Sequence, residues 1–337
     1  MDSRILSKGA VNCLPSSTNV YLGLMTSWWT WDRVLRALIL GLALATIGSF
    51  FGDQAWWLDI LADFKTQSVI GAVLLLLAAL ATRRMKEAVL TLALLIINGT
   101  TLTPYLVLPP EGPATMKIVG FNINNHNLDT ALTLDFLRRE SADVVVVTEV
   151  TETWQKAFEQ LSSVYPHRFY GPAYQGPGDE PHRIGLLAKR AWEESGVEWS
   201  NLTSRVFAVW VRFPAASLGL TVAGVHLLNP VYRLASDQRA EAEALVSAVN
   251  RFDGPVVVTG DFNMTPFSTR YGNLLRNSNL RRATGGLNAT WPALLTPLGL
   301  SLDHVLVGEE VSYASMRTGP RLGSDHLPVV GTFDLGK

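Results

Sequence analysis

Six short polar motifs in the C-terminal two-thirds of the chain carry residue types able to do chemistry, and each abuts an apolar, strand-like run. Asn122 follows Lys117-Ile118-Val119, Glu149 follows Val144 to Val147, and His226 closes the run from Leu220 to Val225. Gly260-Asp261-Phe262-Asn263 follows Val256 to Val258. Ser301-Leu302-Asp303-His304 leads into Val305 to Val307, and Ser324-Asp325-His326 leads into Leu327 to Val330. Buried strands that end repeatedly in Asn, Glu, His and Asp direct those groups towards one rim of a sheet. Hard carboxylate and amide oxygens gathered there suit Mg²⁺, and imidazoles beside them suit a phosphate. The pattern points to metal-dependent phosphoester chemistry.

The elements that must position these motifs can be read from periodicity. Strands are expected at about 116–122, 144–147, 184–188, 206–213, 220–225, 256–259, 302–307 and 329–333. Leu128 to Arg139 places apolar residues at helical spacing, and further helices are expected over 151–161, 234–249 and 268–276. Residues 165–183, rich in Pro and Gly, read as loop. Strands and helices mixed in this way suggest two sheets packed face to face with helices outside. Strand alternation turns His304 away from the face of Asp303, so His304 reads as structural. Arg270, Arg276, Arg281 and Arg282 read as a solvated face, with contact to a phosphate-rich substrate as the alternative. Trp291 is a candidate wall of the cleft, with core packing the other choice.

Composition divides the 337 residues sharply. The mean hydropathy of +0.19 is high and comes from the N-terminal third, whereas all six His residues lie beyond Pro110. Basic and acidic residues nearly cancel, 28 against 29, so no global positive field marks a nucleic-acid binder. A single cysteine, Cys13, excludes an intrachain disulfide framework and a Cys-based zinc site. Apolar runs at Val34–Phe51, Ser68–Ala81 and Ala88–Leu108 predict three transmembrane helices, the second reaching spanning length if Lys65 snorkels to the interface. The expected organisation is a tail over 1–30, three spans over 31–108, a Pro-rich linker over 109–115 and a catalytic domain over 116–337. Arg4, Lys8, Arg33 and Arg36 in the N-terminal segment, and Arg83, Arg84 and Lys86 after the second run, face Asp53, Asp59 and Asp63 after the first. Basic loops stay in the cytoplasm, which puts the catalytic domain outside and makes the lipid bilayer a partner. Trp28, Trp29, Trp31, Trp56 and Trp57 stand as interfacial anchors; no protein partner is evident.

Taken in order, Phe121-Asn122-Ile123, Thr148-Glu149-Val150, Gly224-Val225-His226, Gly260-Asp261-Phe262-Asn263, Asp303 and Ser324-Asp325-His326 resemble the endonuclease/exonuclease/phosphatase superfamily. That family includes deoxyribonucleases and neutral sphingomyelinases. The chain is most similar to bacterial members with three spans ahead of the domain. The resemblance covers about 116–334 and implies a four-layer α/β sandwich. It implies Mg²⁺, with Mn²⁺ as an alternative, held by Glu149, Asp325 and Asn122. It implies Asp261 acting on the attacking water and Asn122 and Asn263 contacting phosphate. His326 would meet a phosphoryl oxygen while Asp303 keeps it oriented and protonated, and His226 would contact phosphate or protonate the leaving oxygen. The sequence departs from the family where an Asn or Glu often supports the second His; here stand His182 and Arg183, and Arg183 becomes a candidate phosphate ligand. The implied protein is a phosphodiesterase acting on nucleic acid or a phospholipid head group, in the bacterial inner membrane with its catalytic domain periplasmic. A non-enzymatic, membrane-anchored binding or sensor protein is the alternative. A transporter is disfavoured, because Arg36 and Asn98 are the strongly polar groups within the runs.

Overall fold

The computed structural model describes residues 17–106, 112, 114–175, 180–231, 234–296 and 298–335, with side chains from residue 31 onward. Cys13, the tail before Ser17 and most of the expected linker lie outside the described residues, as do the side chains of Trp28 and Trp29.

The N-terminal region is helical: α1 (Ser17–Gly48), α2 (Trp56–Asp63), α3 (Lys65–Ala81) and α4 (Met85–Leu102). Among the described residues one helix, Met85–Tyr105, is long and apolar enough to cross a membrane. A second would count only if α2 and α3, bent by 65° about Phe64, formed one broken span. The expectation of three spans is corrected here. The described part of α1 carries Asp32, Arg33 and Arg36, and α3 has only 17 residues. Nor does Lys65 snorkel. It is buried, and its Nζ donates to Ser49 Oγ (2.5 Å) and Asn98 Oδ1 (3.2 Å), while Asn98 Nδ2 donates to Thr46 Oγ1 (2.8 Å). Leu40 and Leu44 of α1, Leu74 and Leu77 of α3, and Val89 and Ile96 of α4 are exposed. This helical unit is apolar outside and hydrogen-bonded within.

The described residues from Met116 onward form twelve strands: β1 (Met116–Asn122), β2 (Val144–Val150), β3 (His167–Tyr170), β4 (Arg183–Ala188), β5 (Glu194–Trp199), β6 (Val206–Arg212), β7 (Thr221–His226), β8 (Val256–Asp261), β9 (Arg281–Arg282), β10 (Asp303–Val307), β11 (Tyr313–Thr318) and β12 (Val329–Asp334). They make two mixed six-stranded sheets, ordered β11-β12-β1-β2-β4-β3 and β5-β6-β7-β8-β10-β9. Helices α5 (Thr130–Glu140) and α6 (Glu152–Phe158) cover the first sheet; α7 (Leu234–Val249) and α8 (Thr269–Ser278) cover the second. Ile118, Val146, Leu186, Val209, Val222, Val257 and Val305 fill the space between the sheets. The result is an α/β sandwich with helices on both outer faces, as the mixed pattern of strands and helices implies.

Four strands escape the periodicity reading. β3 lies in the segment read as loop, and β5, β9 and β11 have no counterpart among the expected runs; all four are sheet edges. Their sequences, such as Glu194-Ser195-Gly196-Val197-Glu198-Trp199, face solvent on one side and lack a continuous apolar run.

β1 and β8 face each other across the sandwich at mid-sheet. A Cβ on Gly120 would collide with Thr259 Oγ1, and Gly260, at φ +137°, presses against the Val225 carbonyl. Only glycine permits both the close approach and that backbone angle. The ends of β1 and β8 thereby meet, bringing Asn122 to Asp261.

Candidate active site

Asn122, the last residue of β1, is buried, and its Nδ2 donates to both Glu149 Oε1 (2.8 Å) and Asp261 Oδ2 (3.0 Å). Its Oδ1 accepts the Asn124 N–H at 3.0 Å, which fixes the orientation of the amide. The amide nitrogen therefore faces the two carboxylates. Glu149 reaches this point through a bulge between Val147 and Val150, where its own φ is +60°. A non-glycine residue there is strained, and bulges of this kind re-aim a side chain beside a site. Glu149 Oε2 accepts from the Asn125 N–H (2.9 Å).

On the second sheet, Asp261 ends β8 opposite Asp303 of β10. Asp261 Oδ1 accepts the Asn263 N–H (2.9 Å) in an Asx turn that holds Asn263 at φ +50°, and Asn263 Nδ2 donates to the Leu227 carbonyl (2.8 Å). Burial raises the Asp261 carboxyl above its ordinary value, with His326 pulling the other way.

His326 and Asp303 form a buried pair, Nδ1 to Oδ2 at 2.8 Å. The His326 N–H is held by Ser324 Oγ, whose hydroxyl donates to the Asn122 carbonyl (2.7 Å). Burial works against an imidazolium at this position. The carboxylates of Asp303 and Asp261, the Asp303 hydrogen bond and Asp325 outweigh it and push His326 up to about 10. His326 Nε2 lies 3.8 Å from Asp261 Oδ2.

His226, at the end of β7, places Nε2 3.7 Å from Glu149 Oε1 and 3.9 Å from Asp261 Oδ2. Burial, then Arg205, His182 and His326, hold its pKa well below the ordinary 6.5. It is neutral at neutral pH. It thus offers one N–H and one lone pair, but carries no surplus proton to deliver to a leaving group.

These groups open on a cleft of about 350 Å³ lined by Glu149, His226, Asp261, Asn263 and His326, together with Asn125, Tyr174, His182, Arg205 and Asn229. Arg183 is not among the lining residues; its neighbour His182 is. Asn122 and Asp303 are buried behind the lining and act on it through hydrogen bonds. Asp325 is exposed, its oxygens taken by Asn124 Nδ2 (2.7 Å) and Trp291 Nε1 (3.0 Å). The adjacent residues Asn124 and Asn125 therefore hold Asp325 and Glu149 respectively.

Sequence reasoning missed Arg205. It pairs with Glu241 (3.1 Å), both side chains buried, and donates to the His226 carbonyl (2.6 Å) under the Tyr174 ring. No local motif announces it, because Arg205 precedes β6 and Glu241 sits mid-helix in α7. The basic cluster lies elsewhere. Arg270 is buried against Asp59, and Arg282 donates to the Gly286 and Leu287 carbonyls. His304 faces the core, its Nε2–H donating to the Met264 carbonyl (2.8 Å), with its pKa lowered by burial and Arg282 to about 3.

One group of carboxylate and imidazole atoms among the described residues lies within 4.8 Å of one another: Asp261, Asp303 and His326. A protonated His326 already bonded to Asp303 has no lone pair to give. The oxygens remain: Glu149 and Asp261 reach the cleft, and Asp303 Oδ1 is buried without a hydrogen-bond partner. Four carboxylates stand against His326 and an Arg205 already paired with Glu241. Such a hard, electron-rich donor set fits a divalent cation.

No curated protein sequence matches the chain. Its fold is shared by solved structures at low identity. An endonuclease/exonuclease/phosphatase family protein from Leptotrichia buccalis has 12% identity and a TM-score of 0.55, covering 65% of this chain and 100% of that one. The catalytic domain of human nocturnin with bound sulfate has 18% identity and a TM-score of 0.54, covering 67% and 95%. The 3′ phosphatase NExo from Neisseria, bound to a product DNA hairpin, has 17% identity and a TM-score of 0.52, covering 65% and 100%. The endonuclease/exonuclease/phosphatase family model matches residues 119–326, from the strand that delivers Asn122 to His326 itself, and the chain belongs to that family.

Proposed function

We propose that the protein is a divalent-metal-dependent phosphoester hydrolase anchored to a membrane by its N-terminal helices. The observation that carries this reading is the convergence at one cleft of Glu149, Asp261 and the Asp303–His326 pair, delivered by the ends of strands from both sheets. In hydrolysis the oxygen of water bonds to phosphorus, the bond to the leaving alcohol breaks, and the proton of the water needs an acceptor. Asp261, raised in basicity by burial and fixed by Asn122 and Asn263, is placed to accept it. Imidazolium His326 lies beside the position where charge grows on the phosphoryl oxygens, and Asp303 keeps it cationic. Neutral His226 and the amide of Asn263 supply hydrogen bonds that orient the phosphate. A bound Mg²⁺ or Mn²⁺ would be held by Glu149 with Asp261 nearby and would neutralise phosphoryl charge.

Membrane anchoring is supported by the exposed apolar surface of α1, α3 and α4 around a polar interior, an arrangement suited to lipid rather than water. Arg36 pairs with Glu87 and Arg84 with Asp32 at one end of these helices, beside the basic turn Arg83 to Lys86. The other end, at Asp59 and Asp63, docks on the catalytic domain. Positive charge stays inside, so the catalytic domain faces the exterior or periplasm.

The reading is tested with the full chain in micelles and bis(p-nitrophenyl) phosphate. Hydrolysis is expected with Mg²⁺ or Mn²⁺, lost with EDTA and restored by excess metal. Turnover that is indifferent to EDTA would rule out the metal dependence. The carboxylates and imidazoles kept together here disfavour the binding-protein alternative.

A further inference from the structure

The catalytic cleft has an apolar neighbour. A second cavity, also of about 350 Å³, is lined by Ile60 and Phe64 at the α2–α3 bend and by Val231, Trp291, Leu300 and Leu302 of the catalytic domain. Asn229, Asn263 and His326 line both cavities, so the two adjoin at His326. Its size falls within the roughly 300–1,000 Å³ of small-molecule sites. The helical segment thus builds one wall of a space that ends at the group expected to meet phosphate.

The junction is held in place. Asp63 Oδ1 accepts from Thr265 Oγ1 (2.6 Å), Asp59 Oδ2 from Arg270 Nε (2.6 Å), and Tyr105 Oη donates to the Pro266 carbonyl (3.1 Å). Gln67, in the first turn of α3, donates to the Leu298 carbonyl at 2.6 Å. The loop so tied exposes Leu294, Leu295 and Leu298, and Trp57 of α2 is exposed as well. An apolar collar therefore surrounds the place where the helices enter the catalytic domain. The cavity lining contains no Lys or Arg, and Asp63 and His326 are its charged or chargeable groups. A nucleic-acid strand needs its phosphates neutralised along its length and finds no such partner there.

We propose that this cavity holds the hydrocarbon chain of an amphiphilic phosphoester whose phosphate lies at His326, so that substrate enters from the lipid layer around the helices. The proposal rests on the phosphoesterase reading above and adds the substrate class. A chain running from Phe64 and Ile60 past Trp291 keeps its methylenes out of water, while the ester phosphate sits among Asn263, His226 and His326.

The test uses the full chain in nanodiscs with p-nitrophenyl phosphodiesters carrying a methyl, butyl or octyl group, and a single-stranded oligonucleotide as competitor. kcat/KM should rise by about two- to fourfold per added methylene until the cavity is filled. Val231→Ser, in an exposed loop, and Phe64→Ser, at the bend, should each lower the octyl-to-methyl ratio by about fivefold or more. Turnover that is flat with chain length, a ratio unmoved by both variants, or preferential cleavage of the oligonucleotide would overturn the chain site while leaving the phosphoesterase reading standing. Failure to hydrolyse any of these esters with Mg²⁺ or Mn²⁺ would end both.

Discussion

The 2.8 Å contact between His326 Nδ1 and Asp303 Oδ2 makes a testable statement about charge. His326 is raised from 6.5 to about 10, so its contribution to stability is complete below about pH 6.5 and is lost as pH rises through about 10. Asp303→Asn removes the leading upward influence, and the His326 titration followed by NMR should fall by about one unit or more. A wild-type His326 titrating near 6.5 would contradict the pairing. His226 has the opposite character and should remain neutral across the same range. Most of these residues were legible because each ends or begins an apolar run: Asp261 after three valines, His326 before Leu327 to Val330. Arg205, Tyr174 and Asn229 were not, since they gain meaning only when distant strands meet. The choice between His182 and Arg183 was equally hidden. Both precede the same apolar run, and which one reaches the cleft depends on the fold around it.

At the scale of elements, two departures from regular strand geometry shape the site: the bulge at Glu149 and the glycine pair at Gly120 and Gly260. Gly260→Ala would place a methyl against the Val225 carbonyl at a backbone angle reserved for glycine. It should cost about 1–3 kcal/mol in unfolding by denaturant, and lower activity as Asp261 shifts. Unchanged stability would show that β7 and β8 are less tightly apposed. The central strands could be read from sequence because both of their faces are buried, giving runs such as Val144 to Val147. The bulge carries no such signal. Nothing in Thr148-Glu149-Val150 separates a re-aimed side chain from a strand that simply ends. The bend at Phe64 was also invisible, because Asp63 and Lys65 look like interfacial charges until Asp63 is seen bonded to Thr265 and Lys65 turned inward to Ser49.

At the scale of the whole molecule, the helical segment and the sandwich act as one body joined by buried polar contacts. Asp59→Ala would leave Arg270 buried without its carboxylate, and a loss of about 3–5 kcal/mol is expected in thermal or chemical unfolding of the micellar protein. A melting curve like that of the wild type would show that the two parts are only tethered. The change from helices to strands at about Met116 could be anticipated from hydropathy alone. That the helices also contribute a wall beside the catalytic cleft could not, since Ile60 and Phe64 lie more than 150 residues from Val231 and Trp291 in sequence. The most direct test of the central claim compares the full-length wild type with Asp261→Asn on one phosphodiester in the presence of Mg²⁺. The wild type should turn over and the variant should lose about 10²–10⁴-fold in kcat with its melting unchanged. An inert wild type, or a variant as active as the wild type, would contradict it.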